Sequence, residues 1–393
     1  MKPIRTVLFI LALALPILGL AATPADDLYA AVAATRKQQY AWQRWPFDTP
    51  EQKAARETER WRANEAVVQA TGEFLAACPE DLRRWEALSA LADAERKFSG
   101  PTAKADEISW REFNRATQEK LLNSEGVPDA IWERAMSGEV FRARRVVEEV
   151  RKREGQADPA PWRAALDRFA ARTPDSRSLG PFEGHYAEFL LKTDPAAGER
   201  QLQLLTNSRN PGVAEMGRGK LNALAAARGP MELKFTAADG REVDLAKLRG
   251  KVVIIDFWAT WCVPCLKEFP NTKAAYAAYR DQGVEMIGIS FDHTPNDPAK
   301  PLKSDRTKEA FLADAAKLGM TWPQYYDGKG WDCALGRRYN IVTIPRIWVL
   351  NKEGVLQTQF AYGRGLWDLL AKLTGHTAPI PPEFQKKSDE ESE

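Results

Sequence analysis

The sequence predicts an α+β chain in two parts: an all-α domain over residues 23–228, then a smaller α/β domain with a central mixed sheet over 231–376. Three observations lead there. At 393 residues the chain is longer than one ordinary hydrophobic core serves, so two domains are the default. Its first half carries apolar residues at helical spacing with no strand-like alternation. At Arg228-Gly229-Pro230 the pattern switches to short β-branched and aromatic runs punctuated by turn residues.

The N-terminus reads as a targeting segment. Lys2 and Arg5 precede an apolar run over 7–20, and Gly19-Leu20-Ala21 offers small residues at cleavage spacing. Residues 1–22 therefore read as a secretory signal peptide. The competing reading is an uncleaved membrane anchor, for which the run is shorter than the ~20 residues a span needs. No cysteine lies near the cleavage site, which argues against lipid modification. The chain is thus expected in a periplasmic or other extracytoplasmic space, where disulfide chemistry is active.

Residues 23–228 read as helices joined by short loops. Trp85, Leu88, Leu91, Ala92, Glu95 and Phe98 recur every three or four positions, as do Trp162, Leu166, Phe169 and Ala170. Pro50, Pro79, Pro128, Pro159 and Pro211 each precede a helical run. No repeat of ~34 residues emerges, so an irregular helical domain is expected rather than a solenoid. Composition adds a boundary on function. The chain is 44% hydrophobic and 28% charged, and its net charge of +2 implies no polyanion, so nucleic acid is not an expected partner.

Beyond Pro230, two short strands flank Asp239-Gly240, and Val252-Val253-Ile254-Ile255-Asp256-Phe257-Trp258 follows as an apolar strand holding one carboxylate. Cys262-Val263-Pro264-Cys265 comes next and opens a helix over 264–279. Two thiols at this spacing can close a small disulfide ring and reopen it, and the helix N-terminus favours the thiolate at Cys262. Such a pair exchanges electrons with the cysteines of another protein. A strand over 284–292, an exposed insertion over 293–308, a helix over 307–318, a hairpin around Lys352-Glu353-Gly354 and a helix over 366–373 complete the domain. A charged tail over 377–393 is expected to be disordered.

This β-β-α-β-α-β-β-α order, with the cysteine pair at a strand-to-helix junction, resembles the thioredoxin fold. It is similar to TlpA/ResA-type extracytoplasmic thiol–disulfide oxidoreductases over 231–374, a little over a third of the chain. Leu248-Arg249-Gly250-Lys251, the stretch from Asp256 to Cys265, Lys267-Glu268-Phe269-Pro270 and Ile344-Pro345 carry the resemblance. It implies that Cys262, at the exposed mouth of the helix, attacks a substrate disulfide, and that Cys265 resolves the mixed disulfide. Pro264 resembles the reducing thioredoxins, so a reductant is expected. Potentials of the fold span about −270 to −120 mV, or ~7 kcal/mol.

The resemblance also assigns roles beyond the cysteines. Asp256, six residues before Cys262, matches a buried acid that deprotonates the resolving thiol; the alternative is a carboxylate pointing out of an edge strand. Thioredoxins often place a lysine beside this acid, and here that position is Gly288. Pro345 matches the cis-proline facing the cysteines and would present the Ile344 backbone to substrate, with Trp261, Val263 and Pro264 on the other side. Arg346 stands where relatives more often carry a small hydroxyl residue, and its cation either lowers the Cys262 pKa or selects acidic partners. Pro270 should kink the helix, and Trp258 should pack in the core. Glu268 is either the acid that follows the pair in this family or a solvated helix residue.

Competing chemistries are weak. Zinc needs about four ligands, and no second cysteine pair or nearby histidine exists. Haem attachment needs His after the second cysteine, where Leu266 stands. No cofactor is expected. A peroxidase of this fold carries Thr three residues before its reactive cysteine, where this chain has Ala259. A third reading makes 23–228 a binding module that recruits partners to a redox-responsive domain. Cys78 and Cys333 are either separate thiols or an interdomain bridge, and His185, His293 and His376 read as structural or surface residues. Expected partners are protein disulfides and a membrane electron donor.

Overall fold

The computed structural model describes residues 25–39, 49–97, 102–295, 302 and 304–385. The segment 1–22 and Phe98 lie outside the described residues. The chain divides into two compact units between Pro174 and Asp175.

The first unit is helical among its described residues: α1 (Ala25–Gln39), α2 (Pro50–Ala77), α3 (Arg84–Ala92), α4 (Ala103–Asn123), α5 (Asp129–Glu154) and α6 (Ala160–Arg172). Local chemistry sets their starts. Pro50 opens α2, while the Thr49 hydroxyl accepts the Gln52 N–H at 3.3 Å and the Gln52 side chain accepts the Thr49 N–H at 3.0 Å. Pro128 and Pro159 stand just ahead of α5 and α6. Pro79 starts no helix directly, because a turn intervenes before Arg84. Val32, Ala70, Phe74 and Ala87 form one apolar cluster, and Val67, Ala90 and Ala94 another. Further along, Trp132 packs on Phe169 and donates its indole N–H to Leu122 O at 3.1 Å. Trp85, Leu88 and Leu91 are buried on α3 as their spacing predicts, but Glu95 lies past its end.

The second unit opens with three more helices: α7 (Leu179–Thr193), α8 (Pro195–Leu205) and α9 (Pro211–Arg228). The composition break at 228–230 marks the end of α9, not the start of this unit. Packing gives the reason. A Cβ at Gly219 of α9 would lie 2.7 Å from the Asn340 backbone nitrogen, so the two segments touch where only glycine fits. Asn222 donates to Arg338 O at 2.8 Å, and Arg337 pairs with Glu215. These three helices are thus one packed body with the sheet that follows.

Strands β1 (Lys234–Thr236) and β2 (Glu242–Asp244) form a separate antiparallel pair. The main sheet has the order β5-β4-β3-β6-β7, from β3 (Val252–Trp258), β4 (Val284–Ser290), β5 (Gln324–Tyr325), β6 (Arg346–Leu350) and β7 (Leu356–Thr358). Strands β3, β4 and β5 run parallel, while β6 and β7 are antiparallel to their neighbours, giving the mixed sheet the sequence predicts. All seven residues of β3 are buried, as the central position of an apolar run requires. Helices α10 (Val263–Tyr279), α11 (Lys308–Lys317), α12 (Ala334–Arg338) and α13 (Gly363–Thr374) complete the unit. Two-residue β5 and five-residue α12 are too short to leave a periodic signal.

The expected disordered tail is placed as far as Gln385. Ala378 is buried and donates its N–H to the Tyr279 hydroxyl at 3.2 Å, so packing continues past the point where composition turns polar. Residues 386–393 lie outside the described residues. No helix among the described residues is long and apolar enough to cross a membrane.

Candidate active site

The cysteine pair sits where β3 gives way to α10. Cys262 donates its N–H to Ala259 O at 3.1 Å, which closes a tight turn, and then serves as the N-cap of α10. Its sulfur accepts the Cys265 N–H at 3.2 Å, the place a capping oxygen occupies in other helices. Pro264 lies in the first turn, where its missing N–H costs nothing. Cys262 and Cys265 are joined in a disulfide with Cα atoms 5.2 Å apart. The Cys265 N–H and the positive helix end thus face the Cys262 sulfur, a setting that favours a thiolate once the disulfide opens.

Accessibility corrects one expectation. Cys262 is only 3% exposed in the closed disulfide, not standing open at the helix mouth. Its sulfur is occupied by Cys265 and folded into the turn. Val263, 60% exposed, is the residue that projects from the pair. Trp331 is 49% exposed and packs against Trp261 at 6.0 Å and Phe291 at 5.2 Å, giving the site an apolar flank. Trp258 is a core residue, packed on Phe311.

Asp256 lies in the centre of the sheet, opposite Gly288 on β4 and Ile347 on β6. The edge-strand alternative therefore does not apply. Burial pushes its carboxyl pKa up to about 7, and the nearby charge of Glu268 adds to the rise. Glu268 is not a free solvated residue. Its Oε1 accepts the Asn271 side-chain amide at 2.7 Å and the Gly363 N–H at 2.9 Å, which tethers α10 to the start of α13. Asn271 also accepts the Trp367 indole N–H at 2.8 Å.

Gly288 has a physical cause. A Cβ there would fall 1.9 Å from Gln324 Oε1, so the space a lysine would enter is filled by the Gln324 amide. That amide accepts the Trp258 indole N–H at 3.0 Å and donates to the Met320 sulfur at 3.4 Å. Asp256 consequently has no cation supplied from position 288.

The Ile344–Pro345 peptide bond is cis. Tyr362 donates its hydroxyl to Pro345 O at 2.7 Å and so ties this loop to the start of α13. Burial raises the Tyr362 pKa, Arg346 opposes the rise, and Asp256 and Glu268 reinforce it. Because β6 runs antiparallel to β3, Pro345 and Arg346 reach the same end of the sheet from which the chain leaves for Cys262. Arg346 itself pairs in register with Phe257.

A second buried acid escaped sequence reasoning. Asp292 is fully buried just beyond β4, and its carboxylate accepts the Thr260 N–H at 3.1 Å, the Thr260 hydroxyl at 2.5 Å and the Ser290 hydroxyl at 2.8 Å. Burial raises its pKa, and the hydrogen bonds from Thr260 and Ser290 oppose that rise. It fixes the turn two residues before Cys262, assisted by the Trp261 indole N–H, which bonds Phe291 O at 3.2 Å. An Asp ending a buried strand was the available signal, but its partner 32 residues earlier was not.

Cys78 and Cys333 are free thiols, Cys78 half-buried in the first unit and Cys333 in the second. Cys333 is fully buried, and burial pushes its pKa up to about 11. His293 lies 3.6 Å from Asp305 in an ion-pair geometry, and His376 packs edge-on to Tyr279. Among the described residues no group of three or more His, Cys, Asp or Glu is placed to hold a metal.

Residues 229–359 match the model of the AhpC/TSA family. The chain is 28% identical over 119 residues to the thiol-disulfide oxidoreductase ResA of Bacillus thuringiensis subsp. konkukian, covering 30% of this chain and 60% of the relative. It is 30% identical over 126 residues to the thioredoxin-like protein YneN of Bacillus subtilis, covering 32% and 65%. The chain therefore spans less than two thirds of the length of these relatives. Among solved structures, the thioredoxin domain of a thiol-disulfide oxidoreductase from Bacteroides vulgatus is 26% identical, with 36% of this chain and 92% of that chain covered and a TM-score of 0.30. Residues 229–359 thus match the AhpC/TSA family model, and this region is similar to thioredoxin-like thiol–disulfide oxidoreductases.

Proposed function

We propose that this protein is an extracytoplasmic thiol–disulfide oxidoreductase that reduces disulfides in protein substrates. The observation that carries the reading is the Cys262–Cys265 pair, closed as a disulfide at the N-cap of α10, on a chain that leaves the central strand holding the buried Asp256 carboxyl, whose pKa burial pushes up to about 7. Reduced Cys262, as thiolate, attacks one sulfur of a substrate disulfide. A bond forms between Cys262 Sγ and that sulfur, and the other substrate sulfur leaves as a thiolate and takes a proton. Cys265 then loses its proton to Asp256, directly or through water, since Gly288 supplies no lysine. Its thiolate attacks Cys262 Sγ and expels the second substrate sulfur. The substrate gains two electrons and two protons, and the Cys262–Cys265 disulfide is restored.

In this reading Ile344 offers its backbone to the substrate, with Trp261, Val263 and Pro264 across the cleft. A membrane-bound dithiol donor returns the electrons. Reduction of substrates, rather than their oxidation, rests on Pro264 between the cysteines, and cytochrome c maturation or thiol repair are the services such a reductant performs. An extracytoplasmic location rests on the pattern of residues 1–22. The helices before Asp175 are proposed to recruit partners.

A Cys265→Ser variant expressed in cells should accumulate mixed disulfides through Cys262, whose partners name the substrates. A reduction potential nearer about −270 mV than −120 mV would accord with a reductant. Absence of trapped partners, together with no insulin reduction by the wild type, would overturn the assignment. A peroxidase is disfavoured because the residue three before Cys262, Ala259, carries no hydroxyl, and rapid hydroperoxide turnover would restore that reading.

A further inference from the structure

Arg346 is a cation prepared for an anion that the protein does not supply. It opens β6 directly after the cis peptide and is partly buried. Its guanidinium lies 4.2 Å from the centroid of Phe360, a ring 59% exposed, and one terminal nitrogen donates to the Thr343 hydroxyl at 2.8 Å. The Nε–H is shielded and has no hydrogen-bond partner. Among the described residues no carboxylate lies within ion-pair distance. The groups whose charge acts on it are the Tyr362 phenol and Glu188 of α7, and Glu188 is held by Lys220.

Buried or half-buried charges are ordinarily paired, because desolvation without a partner is unfavourable. Here burial lowers the Arg346 pKa, the direction expected of an uncompensated cation. The aromatic ring and Thr343 hold the guanidinium plane in one orientation, which prepares its remaining donors for a planar acceptor. A carboxylate is such an acceptor. The position selects where it comes from. An extended segment paired at Ile344 carries its neighbouring residues past Arg346, at the sheet end shared with Cys262.

We propose that Arg346, stacked on Phe360, is a subsite for an acidic side chain next to the substrate's disulfide cysteine, so that the enzyme prefers Asp or Glu there. The proposal rests on the oxidoreductase reading and narrows its substrate class. The chemistry remains the exchange already described, with the carboxylate bound and unreacted.

The test uses the reduced full-length protein and two synthetic disulfide peptides that differ only by Glu or Gln beside the reactive cysteine. The quantity measured is the ratio of their second-order reduction rates. The wild type should favour the Glu peptide about fivefold at low salt, the size of one partly exposed ion pair, with the ratio falling towards one at about 0.5 M salt. In Arg346→Met the ratio should fall to about one, and in Arg346→Lys it should be intermediate. If Arg346 acted on the Cys262 thiolate instead, both rates would change together and the ratio would survive its removal. A ratio unchanged in Arg346→Met, or near one in the wild type, overturns the proposal. If Arg346→Met does not fold, the salt dependence in the wild type and the ratio in Arg346→Lys decide. Failure of the wild type to reduce either peptide overturns the oxidoreductase reading, and this proposal with it.

Discussion

Replacing Asp256 by Asn should make the oxidised protein more stable at alkaline pH and slower at disulfide exchange. The carboxyl is 6% exposed on the central strand, and its pKa rises from 3.8 to about 7, chiefly by burial and secondarily by the charge of Glu268. That displacement corresponds to ~4 kcal/mol against the ionised form in the folded state. The sign follows from proton linkage. Below about pH 3.8 both states are protonated and the carboxyl imposes no charge penalty. As pH rises towards 7 the unfolded chain releases this proton while the folded protein keeps it, so stability falls, and above 7 the full penalty remains. An asparagine side chain carries no such penalty, although an amide without partners costs roughly 1–3 kcal/mol at every pH. The clean observable is therefore the difference in unfolding free energy between variant and wild type as a function of pH. Urea denaturation from pH 4 to 8.5 should show the Asp256→Asn variant gaining up to ~4 kcal/mol on the wild type across that range. In the same variant, insulin reduction should slow roughly a hundredfold through loss of a proton acceptor. A pH-independent stability difference would show that Asp256 does not titrate as its burial requires, and the proton-transfer role would fall with it.

Other consequences can be checked in the same way. Glu268→Gln keeps the hydrogen bonds to Asn271 and Gly363 but removes a charge, so the midpoint of the pH-dependent stability loss should move to lower pH; an unmoved midpoint means Asp256 does not sense that charge. Gly288→Ala should destabilise the fold by roughly 1–3 kcal/mol in urea titration, because its methyl group meets the Gln324 amide. A chain beginning at residue 175 should unfold cooperatively, whereas one beginning at 229 should be markedly less stable, having lost the α9 surface packed on Asn340. Equal stability of the two chains would refute the placement of α7, α8 and α9 with the sheet.

Much of the site was legible because its signals are local. An apolar run, a turn and two thiols three residues apart specify a strand, a helix N-terminus and a redox pair through contacts within one or two turns. Asp256 was assigned through the family resemblance, six residues before Cys262, and the burial of all seven residues of β3 then removed the edge-strand alternative. The turn-clamping Asp292 was not readable, since its hydrogen bonds reach Thr260 across 32 positions. Nor was the exposure of Cys262, which depends on the closed disulfide and the fold of the turn around it. Glu268 stood undecided in the sequence between solvated residue and site acid, and its bond to the Gly363 N–H, 95 positions away, shows that it is not merely solvated.

From its sequence alone, this protein's paired thiols, the apolar strand before them and the helix they open could be stated, because each arises from period or spacing within a short window, while the acid on that strand was assigned by resemblance. Tertiary structure decided what stands next to that chemistry. Gln324 fills the space over Gly288, Tyr362 holds the Pro345 loop, and α9 joins the sheet's compact unit instead of the helices before it. Those outcomes depend on close packing between segments far apart in the chain, where one missing Cβ or one hydrogen bond settles which neighbours can meet.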